Sequence, residues 1–380
     1  MIAEILSQVV RGERLTERSA LALFECAPDE LSLLGGAACA VCHRLHPEPY
    51  RTFNVDRNIN YTNICISGCR FCAFSVPVAD PRGWVIDLPT ICTKIEETLS
   101  LGGDQILLQG GLHPTLPLEW YESLLREIHT RYPQINIHGF GPPEIVHFAS
   151  LSGETVENVL RRLRRAGLGS LPGGGAEILS DRVRHLSSPR KASADEWISV
   201  CRTWHQLGGR GSATMMFGHQ ETFAERVEHL SRIRSLQDET GGFTAFIPWV
   251  FQPAHTPLAR ASDSAQDTSW YRHGTWDYLR TLAISRLFLD NIANIQVSWV
   301  TQGLDIGELA LYYGANDFGS LMIEENVVAA AGTHFTTTRA EMERRIRRAG
   351  YIPRQRNVYY ELKAEEGPGA YVGERTIATE

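Results

Sequence analysis

Long apolar segments are missing from this chain. No apolar run approaches the roughly 20 residues that a membrane-spanning helix requires, and residues 1–11 are too polar for a secretory signal. Positive charge is also scarce, because 37 basic residues are set against 44 acidic ones for a formal net charge of −7. These absences argue against a membrane protein and against a dedicated binder of nucleic acid or anionic membranes. We expect a soluble, cytoplasmic protein.

Two nucleotide-binding patterns and one hydrolase pattern are missing as well. The glycines follow neither the phosphate-binding P-loop, which ends in Lys-Ser/Thr, nor the G-x-G-x-x-G fingerprint of dinucleotide-binding folds. Serine, histidine and aspartate do not occur in an order that indicates a hydrolase triad. The sequence therefore does not indicate these kinds of site.

What the sequence does have is a dense group of cysteines. Cys65, Cys69 and Cys72 fall within eight residues. A structural zinc site normally needs four ligands, and Cys39 and Cys42 lie in an alanine-rich, helix-like stretch. Disulfides are disfavoured in a reducing cytosol. An iron–sulfur cluster fits better because its irons bind thiolates, and three thiolates leave one iron of a 4Fe-4S cluster open to a small molecule.

Strand-like and helix-like segments alternate eight times after residue 58. The predicted strands are 59–64, 105–108, 135–140, 167–171, 212–217, 243–249, 294–299 and 311–315, and the main helices between them are 88–101, 118–132, 155–166, 194–207, 222–240 and 271–290. This alternation predicts an α/β fold of the (β/α)8 TIM-barrel type, with an open six-stranded partial barrel as the competing fold. We expect an N-terminal helical segment over residues 1–50, the barrel over 51–335, and a C-terminal helix and tail over 336–380.

Polar and glycine-rich turns follow the predicted strands. In a parallel barrel the reactive groups lie at the carboxyl ends of the strands, so we expect these turns to line one ligand cavity. A single turn of this kind is as often structural, since glycine turns the chain and a histidine or glutamate caps a helix. The turns contain Gln109, Gly110, Gly111, His138, Glu177, Gly218, His219, Glu221 and Asp317.

The C-x3-C-x2-C spacing, with Phe71 directly before the third cysteine, resembles the signature of the radical S-adenosylmethionine (SAM) enzymes. In that family three cysteines hold a 4Fe-4S cluster, and the amino and carboxylate groups of SAM bind the fourth iron. The reduced cluster cleaves SAM to methionine and a 5′-deoxyadenosyl radical. The resemblance implies Cys65, Cys69 and Cys72 as the metal ligands.

The later turns resemble the SAM-binding motifs of the same family. The resemblance implies contacts to the methionine amino group after strand two, to the ribose or methionine end after strand four, and to adenine at strand five. The residues implied to bind SAM are Phe71, Gln109, Gly110, Gly111, Glu177, Met216 and Gly218. Thr214 departs from the family pattern, because it stands where the strand-five motif has an earlier glycine.

Longer segments are similar to the menaquinone-branch radical SAM enzymes of the futalosine pathway, namely residues 56–63, 172–178, 214–219, 237–243 and 324–327. They look closer to the cyclic dehypoxanthinyl-futalosine synthases than to the sister aminodeoxyfutalosine synthases, and the deazaflavin (FO) synthases are more distant. The resemblance implies cyclisation of dehypoxanthine futalosine, with hydrogen abstraction from ribose C4′ and radical addition to the benzoate ring. It also implies an external one-electron reductant such as flavodoxin or ferredoxin. An iron–sulfur electron carrier or redox sensor is the alternative from a different class.

Restoring the aromatic ring after such an addition requires the loss of an electron and a proton. By chemistry and position, the candidate proton acceptors are His138, His219, Glu221 and Asp317. The aromatic residues that could shape a substrate pocket are Trp249, Phe251 and Trp299. The sequence does not indicate which of its 37 basic residues would bind the benzoate carboxylate.

Overall fold

Three helices precede the first strand. The computed structural model describes residues 1–261 and 274–364, and the chain begins with α1 (Ile2–Val10), α2 (Glu17–Phe24) and α3 (Leu31–Leu45). The side chain of Thr16 caps α2 by accepting a hydrogen bond from the Ser19 amide. Buried apolar residues on these helices belong to the same core cluster as the later helices. None of the described helices is long and apolar enough to cross a membrane.

A ring of parallel strands forms the centre of the molecule. Its strands are β1 (Tyr50–Asn54), β2 (Asp56–Asn60), β3 (Gln105–Gln109), β4 (Asn136–Gly139), β5 (Gly211–Phe217), β6 (Phe243–Val250), β7 (Asn294–Ile295) and β8 (Asp317–Ser320). The strands β2, β3 and β4 pair in order, as do β5, β6 and β7, and β8 pairs with β1. Single parallel bridges at Ser170, Leu171 and Gln296 join these groups. The predicted (β/α)8 barrel is therefore confirmed, and the partial barrel is not what the chain forms.

The first and last barrel strands differ from the prediction. The first strand lies earlier than predicted, because β1 and β2 together run from Tyr50 to Asn60. The predicted eighth strand over 311–315 is wrong: the chain turns there, with Gly314 at φ +100°, and β8 begins only at Asp317. Polar residues are buried along both β2 and β8, which hides these strands from a search for apolar runs.

Most helices lie where their apolar spacing predicts them. The predicted helices correspond to α4 (Leu88–Ser100), α5 (Leu118–Arg131), α7 (Val156–Ala166), α9 (Ala194–Gln206), α10 (Phe223–Thr240) and α12 (Thr275–Phe288). The start of the predicted helix 271–290 lies outside the described residues. Not predicted were α6 (Pro142–Ser152), α8 (Asp181–Ser187), α11 (Pro257–Ala261), α13 (Trp299–Gln302) and α15 (Val327–Ala330), whereas α14 (Leu304–Ala310) lies between the seventh and eighth predicted strands, where the alternation predicts a helix.

The C-terminal region returns to the first strand. After α16 (Arg339–Arg348), the strand β9 (Ile352–Gln355) pairs in parallel with β1 from Tyr50 to Phe53. The chain then continues under the amino-terminal end of the barrel, where Arg356 forms an ion pair with Asp317. The helix was predicted and β9 was not. The tail predicted beyond residue 364 lies outside the described residues.

Candidate active site

The three clustered cysteines lie on a loop that follows β2. The loop folds back on itself, since the Cys65 amide donates to the Val76 carbonyl at 3.0 Å and the Val76 amide to the Asn63 carbonyl at 2.9 Å. Gly68 takes a left-handed conformation, with φ +61°, at the bend between the first two cysteines. The Arg70 amide donates to the Ser187 carbonyl at 2.7 Å. These bonds fix the loop at the carboxyl end of the strand, as expected for a barrel site.

Each sulfur of the loop has a hydrogen-bonding partner. The Leu112 amide donates to Cys65 Sγ at 3.3 Å, and the Ser75 amide donates to Cys72 Sγ at 3.4 Å. The Ser67 hydroxyl lies 3.0 Å from Cys65 Sγ and 3.2 Å from Cys69 Sγ. Hydrogen bonds to sulfur stabilise the thiolate form that iron binds.

Burial works against the thiolate at the second cysteine. It raises the pKa of Cys69 to about 11, and the nearby Lys191 ammonium only partly opposes that rise. A bound metal ion overcomes such a rise, because it deprotonates a coordinating thiol outright. Among the described residues, no three His, Cys, Asp or Glu side chains converge on a single ion. A cubane takes one thiolate per iron, so its ligands need not converge, and the three thiols of this loop fit such a cluster.

Two glycines after β3 let the barrel wall pass close to this loop. A Cβ on Gly111 would lie 2.2 Å from the Ile64 carbonyl oxygen and 2.9 Å from Cys65 Cβ. A Cβ on Gly110 would lie 2.6 Å from the Tyr61 ring. The sequence predicted that these glycines admit a ligand; the structure shows that they already admit the cysteine loop and its preceding tyrosine.

A buried carboxyl group that the sequence did not single out supports this turn. Glu144 accepts hydrogen bonds from the Tyr61 hydroxyl at 2.7 Å, the Gly110 amide at 3.2 Å and the Gly141 amide at 2.7 Å. Burial raises its pKa to about 7, although all three donors favour the ionised form. The pattern Pro-Pro-Glu at a helix start was the available signal, since proline is favoured in the first turn and glutamate at its third position.

The predicted SAM residues of strands four and five lie beside Phe71. Met216 belongs to a small apolar cluster with Phe251 and Leu258, against which Phe71 packs. The Met216 amide donates to the Glu177 carbonyl at 3.0 Å. The structure thus brings three of the predicted residues together on one side of the cysteine loop.

Glu177 carries a buried carboxylate beside the cysteine loop. Its Oε1 accepts a hydrogen bond from Lys191 Nζ at 2.9 Å, and that ammonium lies 5.3 Å from the centre of the Phe71 ring. Its Oε2 forms an ion pair with Arg184 Nη1 at 3.8 Å but has no hydrogen-bond partner among the described residues. Its backbone is strained, with φ +42°. An unsatisfied buried oxygen on a strained residue is typical of a binding site rather than of a core.

A cavity of about 290 Å³ fills the inside of the barrel. Of the predicted residues, Gln109, His138, Trp249 and Trp299 line it. The other predicted residues do not line it: Phe71 and Phe251 pack in the small apolar cluster, and Gly218 donates its amide to Glu221 at 2.6 Å. Gln109 lies beside the turn after the fourth strand position, since its Nε2 would be 2.6 Å from a Cβ on Gly174.

Three of the four candidate proton acceptors do not line the cavity. His219 Nε2 lies 3.2 Å from the Met216 carbonyl oxygen, and its buried Nδ1 has no hydrogen-bond partner among the described residues. Glu221 binds Arg226 and the amides of its own turn, and Asp317 binds Arg356 through both carboxylate oxygens. These engagements fit structural roles. Only His138 faces the cavity.

His138 is held as a neutral imidazole. Burial lowers its pKa to about 3. Its Nδ1 lies 2.7 Å from the Ser170 hydroxyl, which also accepts a hydrogen bond from Asn136 Nδ2 at 3.0 Å. This contact leaves Nε2 as the ring nitrogen for a ligand. The bridge between His138 and Ser170 joins β4 to the next segment of the barrel, so the wall itself orients the ring.

Comparison with known proteins decides the family. Residues 59–233 match the radical SAM superfamily, and residues 240–367 match the CofH/MqnC C-terminal region. The chain is 47% identical over 358 residues to cyclic dehypoxanthine futalosine synthase of Halalkalibacterium halodurans, covering 94% of each protein. The chain belongs to the CofH/MqnC family of radical SAM enzymes. The Streptomyces coelicolor protein with the same name is 44% identical over 94% of this chain and 88% of that one.

The family includes enzymes with other names. Aminodeoxyfutalosine synthase of Thermus thermophilus is 36% identical over 94% of both chains. Among solved structures, methylornithine synthase (PylB) superposes with a TM-score of 0.69 at 16% identity, covering 92% of this chain and 97% of that one. That similarity shows the shared barrel fold. Membership of the radical SAM superfamily implies a 4Fe-4S cluster and SAM.

Proposed function

We propose that this CofH/MqnC-family enzyme cyclises dehypoxanthine futalosine for menaquinone biosynthesis. The observation that carries this proposal is the similarity along nearly the whole chain to two cyclic dehypoxanthine futalosine synthases. The cavity inside the barrel supports it, because a largely apolar chamber protects a carbon radical from competing hydrogen donors. A soluble, cytoplasmic location follows from this role.

The cysteine loop has the thiols to hold the 4Fe-4S cluster through Cys65, Cys69 and Cys72. When bound, the cluster and SAM supply the 5′-deoxyadenosyl radical, and a soluble one-electron carrier such as flavodoxin or ferredoxin supplies the electron. Ser67 and the amide of Leu112 orient the sulfurs. The proposed SAM contacts are the turn Gln109, Gly110 and Gly111 on one side of the loop and Phe71, Glu177, Met216 and Gly218 on the other.

His138 is the residue that we assign to the final proton transfer. A neutral imidazole facing the cavity presents Nε2 to the ring proton if Nδ1 donates to Ser170 Oγ, although the burial that lowers the pKa of His138 also makes it a weaker base. The C–H bond of the former benzoate ring would break with transfer of its proton to Nε2, and the remaining electron would pass to an external one-electron acceptor such as flavodoxin or ferredoxin. His219, Glu221 and Asp317 stay weaker candidates because they do not line the cavity.

The decisive experiment combines substrate tests with cysteine variants. The reconstituted, reduced protein is incubated without oxygen with SAM and dehypoxanthine futalosine. We expect a product two hydrogens lighter, formed together with 5′-deoxyadenosine. The variants Cys65→Ala, Cys69→Ala and Cys72→Ala should lose iron and both products, whereas Cys39→Ala, outside the loop, should retain them.

Two outcomes contradict the proposal in different ways. No reaction with dehypoxanthine futalosine, together with turnover of an enolpyruvyl benzoate and a nucleoside, would make the protein an aminodeoxyfutalosine synthase. A cluster whose EPR spectrum does not change with SAM would instead indicate an electron carrier or redox sensor.

A further inference from the structure

We propose that the amino-terminal end of the barrel cavity is a recognition site for the sugar hydroxyl groups of the substrate. We call this site the acceptor floor and define it as Asn54, Asp56, Gln105 and Tyr360, which all line the cavity. The inference rests on the proposed function for the identity of the substrate. The site itself would accept any pentose with free hydroxyl groups.

Asp56 forms the centre of the acceptor floor. Its Oδ2 accepts hydrogen bonds from Gln105 Nε2 at 2.8 Å and from Asn54 Nδ2 at 3.4 Å. Its Oδ1 accepts a hydrogen bond from the Ser320 hydroxyl. All three donors are neutral side chains, so this buried carboxyl group has no cation in direct contact among the described residues.

The carboxylate determines how the two amides point. Burial raises the pKa of Asp56, and the hydrogen bonds from Ser320 and Gln105 and the nearby Arg356 charge oppose that rise. In its ionised form the carboxylate only accepts hydrogen bonds, so each amide turns its NH2 group toward Asp56 and its carbonyl oxygen away from it. These two carbonyl oxygens, Asn54 Oδ1 and Gln105 Oε1, are buried and have no hydrogen-bond partner within the described residues. Buried polar atoms are nearly always satisfied in native proteins. Two unsatisfied acceptors in one cavity wall therefore indicate that a ligand donates to them.

The C-terminal region contributes a third unsatisfied group. Tyr360 lines the same cavity, and its hydroxyl is buried without a partner in the part of the chain that the structure describes. The Arg356 guanidinium lies 4.0 Å from the centre of the Tyr360 ring and fixes its position. A phenol can both donate and accept a hydrogen bond, so it can pair with a sugar hydroxyl group that acts as acceptor or as donor.

The charges of the floor select a neutral, donor-rich group. Arg356 is the one arginine or lysine that lines the cavity among the described residues, and Asp317 occupies its Nε and Nη2 at 2.7 and 2.8 Å. A benzoate carboxylate placed here would meet the Asp56 carboxylate and the two amide oxygens. Sugar hydroxyl groups would instead donate to these acceptors. We therefore place the hydroxyl-bearing edge of the sugar on the floor, which leaves C4′ and its side chain toward the cysteine loop.

Tyr360→Phe tests the floor with the loss of one oxygen atom. In the cluster-loaded protein with SAM bound, the dissociation constant of dehypoxanthine futalosine, measured by calorimetry, should rise about 3- to 10-fold, as expected for one net hydrogen bond. Tyr359→Phe is the matched control, because the Tyr359 hydroxyl bonds to the Gly169 carbonyl at 3.1 Å on the exposed surface. It should bind the substrate as the unchanged protein does. Gln105→Met removes a floor acceptor and should weaken binding in the same direction.

A substrate analogue separates recognition from simple packing. Substrate that lacks one sugar hydroxyl group should bind more weakly to the unchanged protein, and Tyr360→Phe should weaken the analogue less than it weakens the full substrate. Equal binding by Tyr360→Phe, Gln105→Met and the unchanged protein would mean that the floor holds only water, and would overturn the inference. Because binding is measured without turnover, that result is distinguishable from a failure to cyclise the substrate.

Discussion

At the scale of single residues, the position of the cysteine loop depends on Gly111 having no side chain. In Gly111→Ala the new Cβ would meet backbone atoms of Ile64, which cannot rotate away as a side chain can. We expect the loop to shift, iron content after reconstitution to fall at least several-fold, and stability to drop by about 1–3 kcal/mol, as for overpacked cores. Iron and sulfide analysis with denaturant unfolding measures both effects.

A second glycine provides the control for this substitution. A Cβ on Gly36, within α3, meets no atom within 4 Å. Gly36→Ala should keep full iron and gain about 0.5–1 kcal/mol from its higher helix propensity. Full iron in Gly111→Ala would show that the close approach to Ile64 does not position the loop.

Glu144 should make stability depend on pH near neutrality. Its pKa is about 7 in the folded protein, raised by burial from the ordinary 4.5. Between these values the folded protein holds the proton that the unfolded chain has released, so stability falls as the pH rises through this window, by ~3 kcal/mol at most. Glu144→Gln cannot ionise and should flatten this slope, whereas the exposed Glu127→Gln should keep it. Denaturant unfolding from pH 4.5 to 7.5 measures the slope, and identical slopes in all three proteins would contradict the assignment.

The sequence identified the cysteines of the site, but it did not identify most of the residues that line the cavity. Thiols at fixed spacing carry their chemistry within one loop, so their pattern alone predicts a cluster. Asn54, Asp56 and Gln105 lie on three strands and face the cavity only because the barrel closes. In the sequence, each is an unremarkable polar residue. Glu221 is the opposite case. Its side-chain chemistry suggested a free base, but in the structure its carboxylate accepts a hydrogen bond from Arg226.

At the scale of elements, the C-terminal segment is joined to the barrel by a buried ion pair. Arg356 and Asp317 are both buried and share two hydrogen bonds. Arg356→Gln should cost about 3–5 kcal/mol, because it leaves Asp317 buried without its cation. Adding Asp317→Asn should recover part of that loss in a double-mutant cycle measured by denaturant unfolding.

An exposed ion pair is the control for this prediction. Arg347 bonds to Glu343 on the surface of α16, and Arg347→Gln should change stability by well under about 1 kcal/mol. If Arg356→Gln were equally mild, the ion pair would not be what holds the C-terminal segment under the barrel.

Several of the helices that the sequence predicted bury only one face. Helices such as α7 bury one apolar stripe against the barrel, and that stripe has the helical period. The strand β9 is four residues long and partly exposed, and its only signal is its pairing with β1, just over three hundred residues earlier. The segment 167–171 contributes two isolated bridges rather than a full strand. Neither feature has a local pattern to detect.

At the scale of the whole molecule, SAM should stabilise the barrel only when the cluster is present. Its proposed contacts come from the loop after β2, the turn after β3 and the ends of the next strands, so a bound molecule would link separate parts of the ring. At one hundred times its dissociation constant, SAM should add about 2.7 kcal/mol to the free energy of unfolding. Thermal unfolding without oxygen should show this as a rise in Tm of several degrees.

The control is the same protein after removal of iron by a chelator. Without its fourth iron, SAM loses the chelating contact, so the rise in Tm should shrink by at least half. An equal rise with and without the cluster would show that SAM binds independently of iron.

The acceptor floor also affects how a newly made chain matures. Asn54, Asp56 and Gln105 leave the ribosome long before Arg356 and Tyr360, so the barrel strands can assemble while one end of their cavity is open to water. Asp317 likewise precedes its partner Arg356, which follows β9 and its pairing with β1. The lining of the cavity is therefore complete only after the last part of the described chain has been made and has docked beside β1.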